Sequence, residues 1–470
     1  MKKFVSALCA AVLAAGALAP AAWAYEGPQV SCEAYIVMDA DSGQVIMEKN
    51  ADEVLYPASI TKIMTLALAL EKAQGAWDTQ VTVSYDAVHQ LERGSSHIAL
   101  QDGEVVRLED VFYGTQLESA NDGANVLAEY IGGDGTIQSG VDAMNRKAAE
   151  LGLSNTKYMN PHGLYDQQHY TTARDMAQLT RWALSVPGFT DVFCRTEAWT
   201  MQPTNKQEKQ RVFHCTDWMR ISGDYYRTYA KGSKNGFHDQ ALTTFVNYAE
   251  QNGVRLISVE LRCQQLEDKF RDACAILDYA FENFQRVQVP APSEAFQVPL
   301  LGGGEALGNV TVQPNSAAVL LHKSLAAADV TAEYDIPDRY VLGQPFSASV
   351  RYYLPENAYQ PAALGAAGLT VSGLPEILAA STYVPQSSLK AETNPVGLAV
   401  AAACAALAVL LGVRLWKKDK RVPRGALGGQ SPAQWQIITR KPLPAEPPPW
   451  QAGSSETPRR PRTKRPGGDG

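Results

Sequence analysis

Between Ser59 and Leu70, the residues Ile60, Ile63, Met64, Ala67, Leu68 and Leu70 cover most of the circumference of a helix. An ordinary surface helix carries one apolar stripe, whereas a helix that is apolar nearly all round must be enclosed on nearly all sides. This segment therefore predicts a domain wrapped around it. The elements available for wrapping are of both kinds. Ala34 to Asp39 and Gln44 to Glu48 read as two short strands joined by the turn Asp41-Ser42-Gly43. Ala143 to Leu151 and Thr172 to Leu184 read as amphipathic helices. Thr243 to Tyr248 and Arg255 to Leu261 read as paired strands, with Asn252-Gly253 as their hairpin turn. The mixture predicts one α/β domain over residues 25–286, with an antiparallel sheet flanked by helices.

Composition changes near Val287. From there to about Leu378 the chain is rich in Val, Thr, Ala, Gly and Pro, with strand-like runs at Val310-Thr311-Val312 and Phe346 to Tyr353. A small all-β domain is expected over 287–380, followed by a polar linker at 381–395. No internal repeat is visible.

The two ends carry the topological signals. Residues 1–24 have Lys2 and Lys3, an apolar stretch from Phe4 to Ala19, and Ala22-Trp23-Ala24 as a small-x-small site, so a secretory signal is expected with Tyr25 as the mature N-terminus. An uncleaved anchor helix is the alternative. Val396 to Val413 is eighteen residues without a charge, and Leu415 and Trp416 extend it to a transmembrane helix over 396–416. A buried core helix is disfavoured there, because the tail behind it cannot fold around it. Arg414, Lys417, Lys418, Lys420 and Arg421 follow at once and place that end in the cytoplasm by the positive-inside rule. Residues 417–470 hold ten of the 27 prolines and little apolar material, so a disordered cytoplasmic tail is expected.

Charge follows the same division. The net charge of −7 conceals thirteen basic and four acidic residues from Arg414 onward, a net of +9 that leaves −16 for the rest. An acidic body argues against nucleic-acid binding, and a basic tail at an inner membrane surface is attracted by anionic lipid. Five of the seven cysteines, Cys32, Cys194, Cys215, Cys263 and Cys274, fall in the body. Disulfides are permitted outside the cytoplasm, and the sequence leaves their pairing open. No pair has Cys-x-x-Cys spacing and the histidines are scattered, so no metal and no other cofactor is expected.

Ser59-Ile60-Thr61-Lys62 is the most informative chemical pattern. A serine hydroxyl is a poor nucleophile until a base takes its proton. A lysine three positions on shares its helix face. If buried, that lysine loses basicity and serves as a base near neutral pH. A serine at a helix start also meets outward-pointing N–H groups that favour an oxyanion. The pattern occurs twice, but Ser154-Asn155-Thr156-Lys157 follows Gly152 in a polar stretch and reads as a surface turn. Ser119-Ala120-Asn121 and Lys234-Asn235-Gly236 complete the candidates. A second lysine near the first would depress its basicity further and bind a carboxylate.

Pro57 to Thr65 closely resembles the active-site signature of low-molecular-mass penicillin-binding proteins of the D-alanyl-D-alanine carboxypeptidase type. Asn160-Pro161-His162-Gly163-Leu164 with Tyr170 to Asp175 resembles a second hallmark of that family, and Asp39 to Lys49 its opening hairpin. The resemblance spans roughly residues 30–285 and implies a penicillin-binding serine-enzyme fold. It implies Ser59 as the acylated nucleophile, Lys62 as its base and Ser119 as a proton relay. It further implies Asn121 on the substrate amide and Lys234 with Asn235 and Gly236 at the terminal carboxylate. The N–H groups of Ser59 and Phe237 would form the oxyanion hole. The implied substrate is a peptidoglycan stem peptide ending in D-Ala-D-Ala, with β-lactams as covalent inhibitors.

Two departures from the family pattern stand out. Asn235 replaces the threonine of Lys-Thr-Gly, and Ala241-Leu242 stands where an Ala-Gly pair is common, which predicts a larger side chain near the site. A non-catalytic envelope scaffold and a β-lactamase are the alternatives to a carboxypeptidase. A Ser-His-Asp hydrolase is disfavoured, since no Gly-x-Ser-x-Gly elbow is present.

Overall fold

Five antiparallel strands form the central sheet: β1 (Ala34–Asp39), β2 (Val45–Lys49), β3 (Ala230–His238), β4 (Leu242–Gln251) and β5 (Val254–Cys263). Their spatial order is β2-β1-β5-β4-β3, so the N-terminal hairpin is inserted beside strands more than 180 residues later. The computed structural model describes residues 27–374 apart from 292, 356–359 and 368. The expected signal, linker, membrane span and basic tail lie outside the described residues. Among the described residues no helix is long and apolar enough to cross a membrane.

The sheet is covered on both faces, and its strands alternate between two cores. Ile36, Met38, Val246, Tyr248, Ile257, Val259 and Leu261 face the first core, built around α1 (Lys62–Ala73). Tyr35, Val37, Phe245, Ala249 and Leu256 face the second core. The helices α2 (Leu108–Leu117), α3 (Asn121–Gly132), α4 (Ile137–Glu150) and α5 (Ala173–Ala183) surround α1, and α6 (Asp268–Asn283) covers the other face. Every residue of α1 from Lys62 to Leu70 is buried, as its all-round apolar pattern requires. Each of its large apolar side chains contributes about 1.5–3 kcal/mol by leaving water. Helix α1 stops at Gln74, which takes a left-handed φ of 46° and bonds back to Leu70.

Most expected elements sit within two residues of their sequence bounds. Helix α4 departs furthest and begins at Ile137, six residues before the expected Ala143. Its start is set by Thr136, whose hydroxyl accepts the Ser139 N–H, rather than by apolar periodicity. Leu242 also departs from expectation. It holds φ at +54°, a left-handed backbone that costs a leucine about 1–3 kcal/mol. Leu242 is thus a point of backbone strain in the turn between β3 and β4. It does not line the cleft described below, contrary to the crowding anticipated.

Beyond α6, the described residues form only strands and one short 3-10 turn, Ala327–Asp329. The strands are β6 (Phe284–Val289), β7 (Phe296–Gly302), β8 (Glu305–Pro314), β9 (Ala317–His322), β10 (Thr331–Asp335), β11 (Tyr340–Val341), β12 (Ser349–Tyr353), β13 (Ala363–Ala367) and β14 (Leu369–Ser372). They pair as β6-β9, β11-β7-β8-β14 and β10-β12-β13. This all-β unit is fastened to the first hairpin. Gln44 donates to the Leu320 carbonyl at 2.6 Å and accepts the Leu320 N–H at 2.8 Å. Arg286 pairs with the buried Asp39 at 3.1 Å.

Candidate active site

Ser59 lies on a 3-10 turn, Ala58–Thr61, that leads into α1, and Lys62 is the first α-helical residue. The serine is therefore one turn before the α-helix proper, not on it. Lys62 Nζ lies 2.9 Å from Ser59 Oγ and 2.8 Å from the His162 carbonyl oxygen. The lysine is fully buried. Burial, with the Lys234 cation nearby, holds its pKa well below the ordinary lysine range, and Asp122 offsets part of this. A neutral amine has one lone pair. With an N–H donated to His162, that lone pair is free to face the serine hydroxyl.

The Asn160 to Leu164 stretch straps this pair in place. Asn160 accepts the Gly163 N–H at 2.7 Å and donates to the Leu164 carbonyl at 2.9 Å. Thr65 donates to the Pro161 carbonyl at 2.6 Å. Gly163 passes so close to the turn that carries Ser59 that a Cβ there would sit 1.9 Å from the Ala58 carbonyl oxygen. Two histidines complete the strap as neutral rings. Burial first, and Lys62 second, hold His162 well below its usual pKa. Burial takes His169 down to about 3. His169 Nδ1 accepts the Met159 N–H, so its Nε2 carries the proton and donates to Thr61 Oγ1 at 2.9 Å. The sequence pattern assigns neither histidine a role, although His162 lies inside the second hallmark.

Ser119 sits between α2 and α3 with φ at +55°, an unusual backbone for serine. Its Oγ accepts from Lys234 Nζ at 2.9 Å. Lys234 also donates to the Asn235 carbonyl at 3.0 Å. Burial first, and the Lys269 cation second, lower the Lys234 pKa to about 7. Asp122 organises the neighbouring loop by accepting the N–H groups of Ile98, Leu100 and Gly123 at 2.8–3.2 Å. The Asn121 N–H bonds the Ser96 carbonyl at 2.8 Å.

Ser59, Ser119 and Asn121 line one cleft of about 340 Å³, together with Asn235, Gly236, Phe237, Leu164, Leu266 and Lys269, and Lys62 and Lys234 stand behind its wall, bonded to Ser59 and Ser119. One wall is β3, the edge strand of the sheet. It approaches Ser59 so closely that a Cβ on Gly236 would lie 2.6 Å from the Ser59 amide nitrogen. Lys269 is the residue the sequence did not reveal. It opens α6 with no motif around it, and only the fold brings it beside Lys234. The second Ser-x-x-Lys copy lies elsewhere: Ser154 is exposed and Lys157 bonds the Gln168 side chain. Among the described residues no three His, Cys, Asp or Glu side chains converge as a metal site would.

Residues 21–264 match the family model described as D-alanyl-D-alanine carboxypeptidase. The chain is 32% identical over 303 residues to the D-alanyl-D-alanine carboxypeptidase DacC of Escherichia coli, covering 61% of this chain and 72% of that one. It is 30% identical over 294 residues to DacF of Bacillus subtilis, with the same coverage. In fold it resembles penicillin binding protein 5 from Haemophilus influenzae, with a TM-score of 0.58 at 24% identity over 74% of this chain and 98% of that one.

Proposed function

The chain belongs to the D-alanyl-D-alanine carboxypeptidase family of serine-type hydrolases, and we propose that it removes the terminal D-Ala of peptidoglycan stem peptides through an acyl-enzyme on Ser59. The observation that carries this reading is the 2.9 Å contact between Ser59 Oγ and a buried, charge-disfavoured Lys62 amine.

The peptide end lies along edge strand β3 in extended form, as peptides added to sheet edges do. Lys234, Lys269 and the Asn235 amide meet its carboxylate. Asn121 meets the preceding amide. The scissile carbonyl oxygen faces the N–H groups of Ser59 and Phe237. Lys62 takes the Ser59 proton as Oγ attacks, and the negative charge moves to that oxygen. Ser119, bonded to Lys234, relays a proton to the leaving nitrogen as the C–N bond breaks. D-Ala departs and an ester on Ser59 remains. Water then attacks the ester, giving up its proton to the Lys62 amine, and Ser59 is regenerated. A β-lactam enters by the same attack, with its amide opening in place of the peptide bond. Asn235 supplies an N–H donor where a threonine hydroxyl is usual in the family.

The same proposal includes location. The leader pattern of residues 1–24 and the uncharged Val396–Val413 stretch with basic residues behind it support an exported domain. It would be held by one membrane helix, with a cytoplasmic tail.

The two lysines set an expected pH profile, checked by measuring free D-Ala released from a peptide ending in D-Ala-D-Ala. Lys62 must be neutral, so kcat rises as pH climbs through its depressed pKa. Lys234 must be charged to hold the carboxylate, so kcat/KM falls as pH passes about 7 in the free enzyme. Bound carboxylate stabilises the ammonium, so the alkaline fall in kcat lies at higher pH. Lys269→Met removes the neighbouring cation and moves the kcat/KM fall upward. A kcat/KM still climbing at about pH 10, near the ordinary lysine value, would exclude Lys234 from carboxylate binding.

A further inference from the structure

Strands β1 and β5 run antiparallel with Ala34 opposite Leu261 at the end of their ladder. Cys32 and Cys263 each lie two residues beyond that last pair, at the same end of the sheet. Both are completely buried in the core beneath α6, and the Cys263 thiol lies near enough to Cys32 to disfavour its thiolate. Their backbones are held on both sides. The Cys32 N–H donates to Asp272 at 2.9 Å and its carbonyl accepts from Lys49 at 2.9 Å. The Cys263 carbonyl accepts from Thr243 at 3.1 Å. Neighbouring antiparallel strands bring Cα atoms to about 4.5–5.5 Å, within the range a disulfide spans. All five cysteines among the described residues, Cys32 and Cys263 included, are free thiols in this structure, and Cys194, Cys215 and Cys274 lie outside this pair.

We propose that Cys32 and Cys263 form a disulfide that ties the start of the folded domain to the segment leading into the active-site cleft. Residues Leu266 and Lys269, which line that cleft, follow directly after Cys263. The reaction is thiol–disulfide exchange with a small-molecule or protein disulfide. Two S–H bonds break and one S–S bond forms. The two electrons and two protons pass to the oxidant, which leaves as two thiols. In the folded chain the Cys32 thiolate is strongly disfavoured by its contact with Cys263, by burial and by the nearby Glu260 and Asp272. Exchange requires a thiolate. The bond therefore forms while β1 docks, and once buried it resists reductants.

The test is synthesis of the full-length chain with oxidised glutathione in one arm and dithiothreitol in the other. Each product is unfolded, alkylated and digested without reduction for mass spectrometry. The proposal expects the Cys32 peptide joined to the Cys263 peptide, two hydrogens lighter than their sum, in the oxidised arm alone. The joined species persists in a Cys194→Ser/Cys274→Ser chain and vanishes in Cys32→Ser. Full alkylation of both cysteines in the oxidised arm, or Cys263 joined to a different cysteine, would overturn it.

Discussion

Replacing Lys62 by methionine is expected to slow acylation by about 10³-fold while leaving the fold close to its original stability. General-base transfer is worth about 10²–10⁴ in rate. Lys62 is the only basic side chain within hydrogen-bond distance of Ser59 Oγ among the described contacts. Methionine fills nearly the same volume. It removes an amine that burial already penalises, which offsets the cost of leaving the His162 carbonyl without its donor, about 1–3 kcal/mol. The rate of covalent labelling by a fluorescent penicillin, read beside the thermal midpoint, separates the two quantities. Unchanged labelling would remove Lys62 from the base role. Lost labelling with a collapsed midpoint would assign the lysine to folding instead.

The second large effect is expected at Gly236. An added Cβ there would meet Thr244 Oγ1 at 2.5 Å, the Ser59 amide nitrogen at 2.6 Å and the Ala58 Cβ at 3.0 Å. None of these yields readily. Thr244 is pinned by its bond to the Pro57 carbonyl at 2.8 Å, and Ala58 and Ser59 belong to the nucleophile turn. Edge strand β3 must therefore retreat from Ser59, carrying the Phe237 N–H with it. Misplacing a reacting group by about 1 Å costs roughly 10²-fold, and losing an oxyanion donor costs about 10²–10³. Gly236→Ala should therefore lower kcat by about 10²–10³. KM should change less than kcat, because Lys269, on α6, still meets the carboxylate. Steady-state kinetics on a D-Ala-D-Ala peptide decides it. A rise in KM at unchanged kcat would mean that Gly236 serves substrate binding and not the oxyanion.

Ser59, Lys62, Ser119, Asn121 and Lys234 were legible in the sequence because each lies in a short pattern whose spacing is fixed by one turn or one strand. The buried helix was legible for a related reason: its apolar residues are local, and their all-round distribution has one meaning. What escaped depends on contacts distant in sequence. Lys269 reaches the cleft because α6 packs across the sheet next to β4. The Cys32–Cys263 proximity exists because β1 inserts beside β5, a pairing across more than 215 residues that no local pattern encodes. The His162 and His169 rings are neutral because of what surrounds them. Leu242 read as a bulky side chain near the site, whereas the fold makes it a strained backbone position. In the all-β unit, composition announced strands, but pairings such as Leu300 beside Tyr340 in parallel are set by loops without a readable signal.

The central claim is that Ser59 is the nucleophile. Intact-mass spectrometry of the full-length chain after exposure to benzylpenicillin, followed by peptide mapping, tests it most directly. The account predicts one adduct with the mass of the whole penicillin, carried on Ser59 and absent in Ser59→Ala. An unmodified chain, or an adduct that maps to another residue and survives in Ser59→Ala, would contradict it.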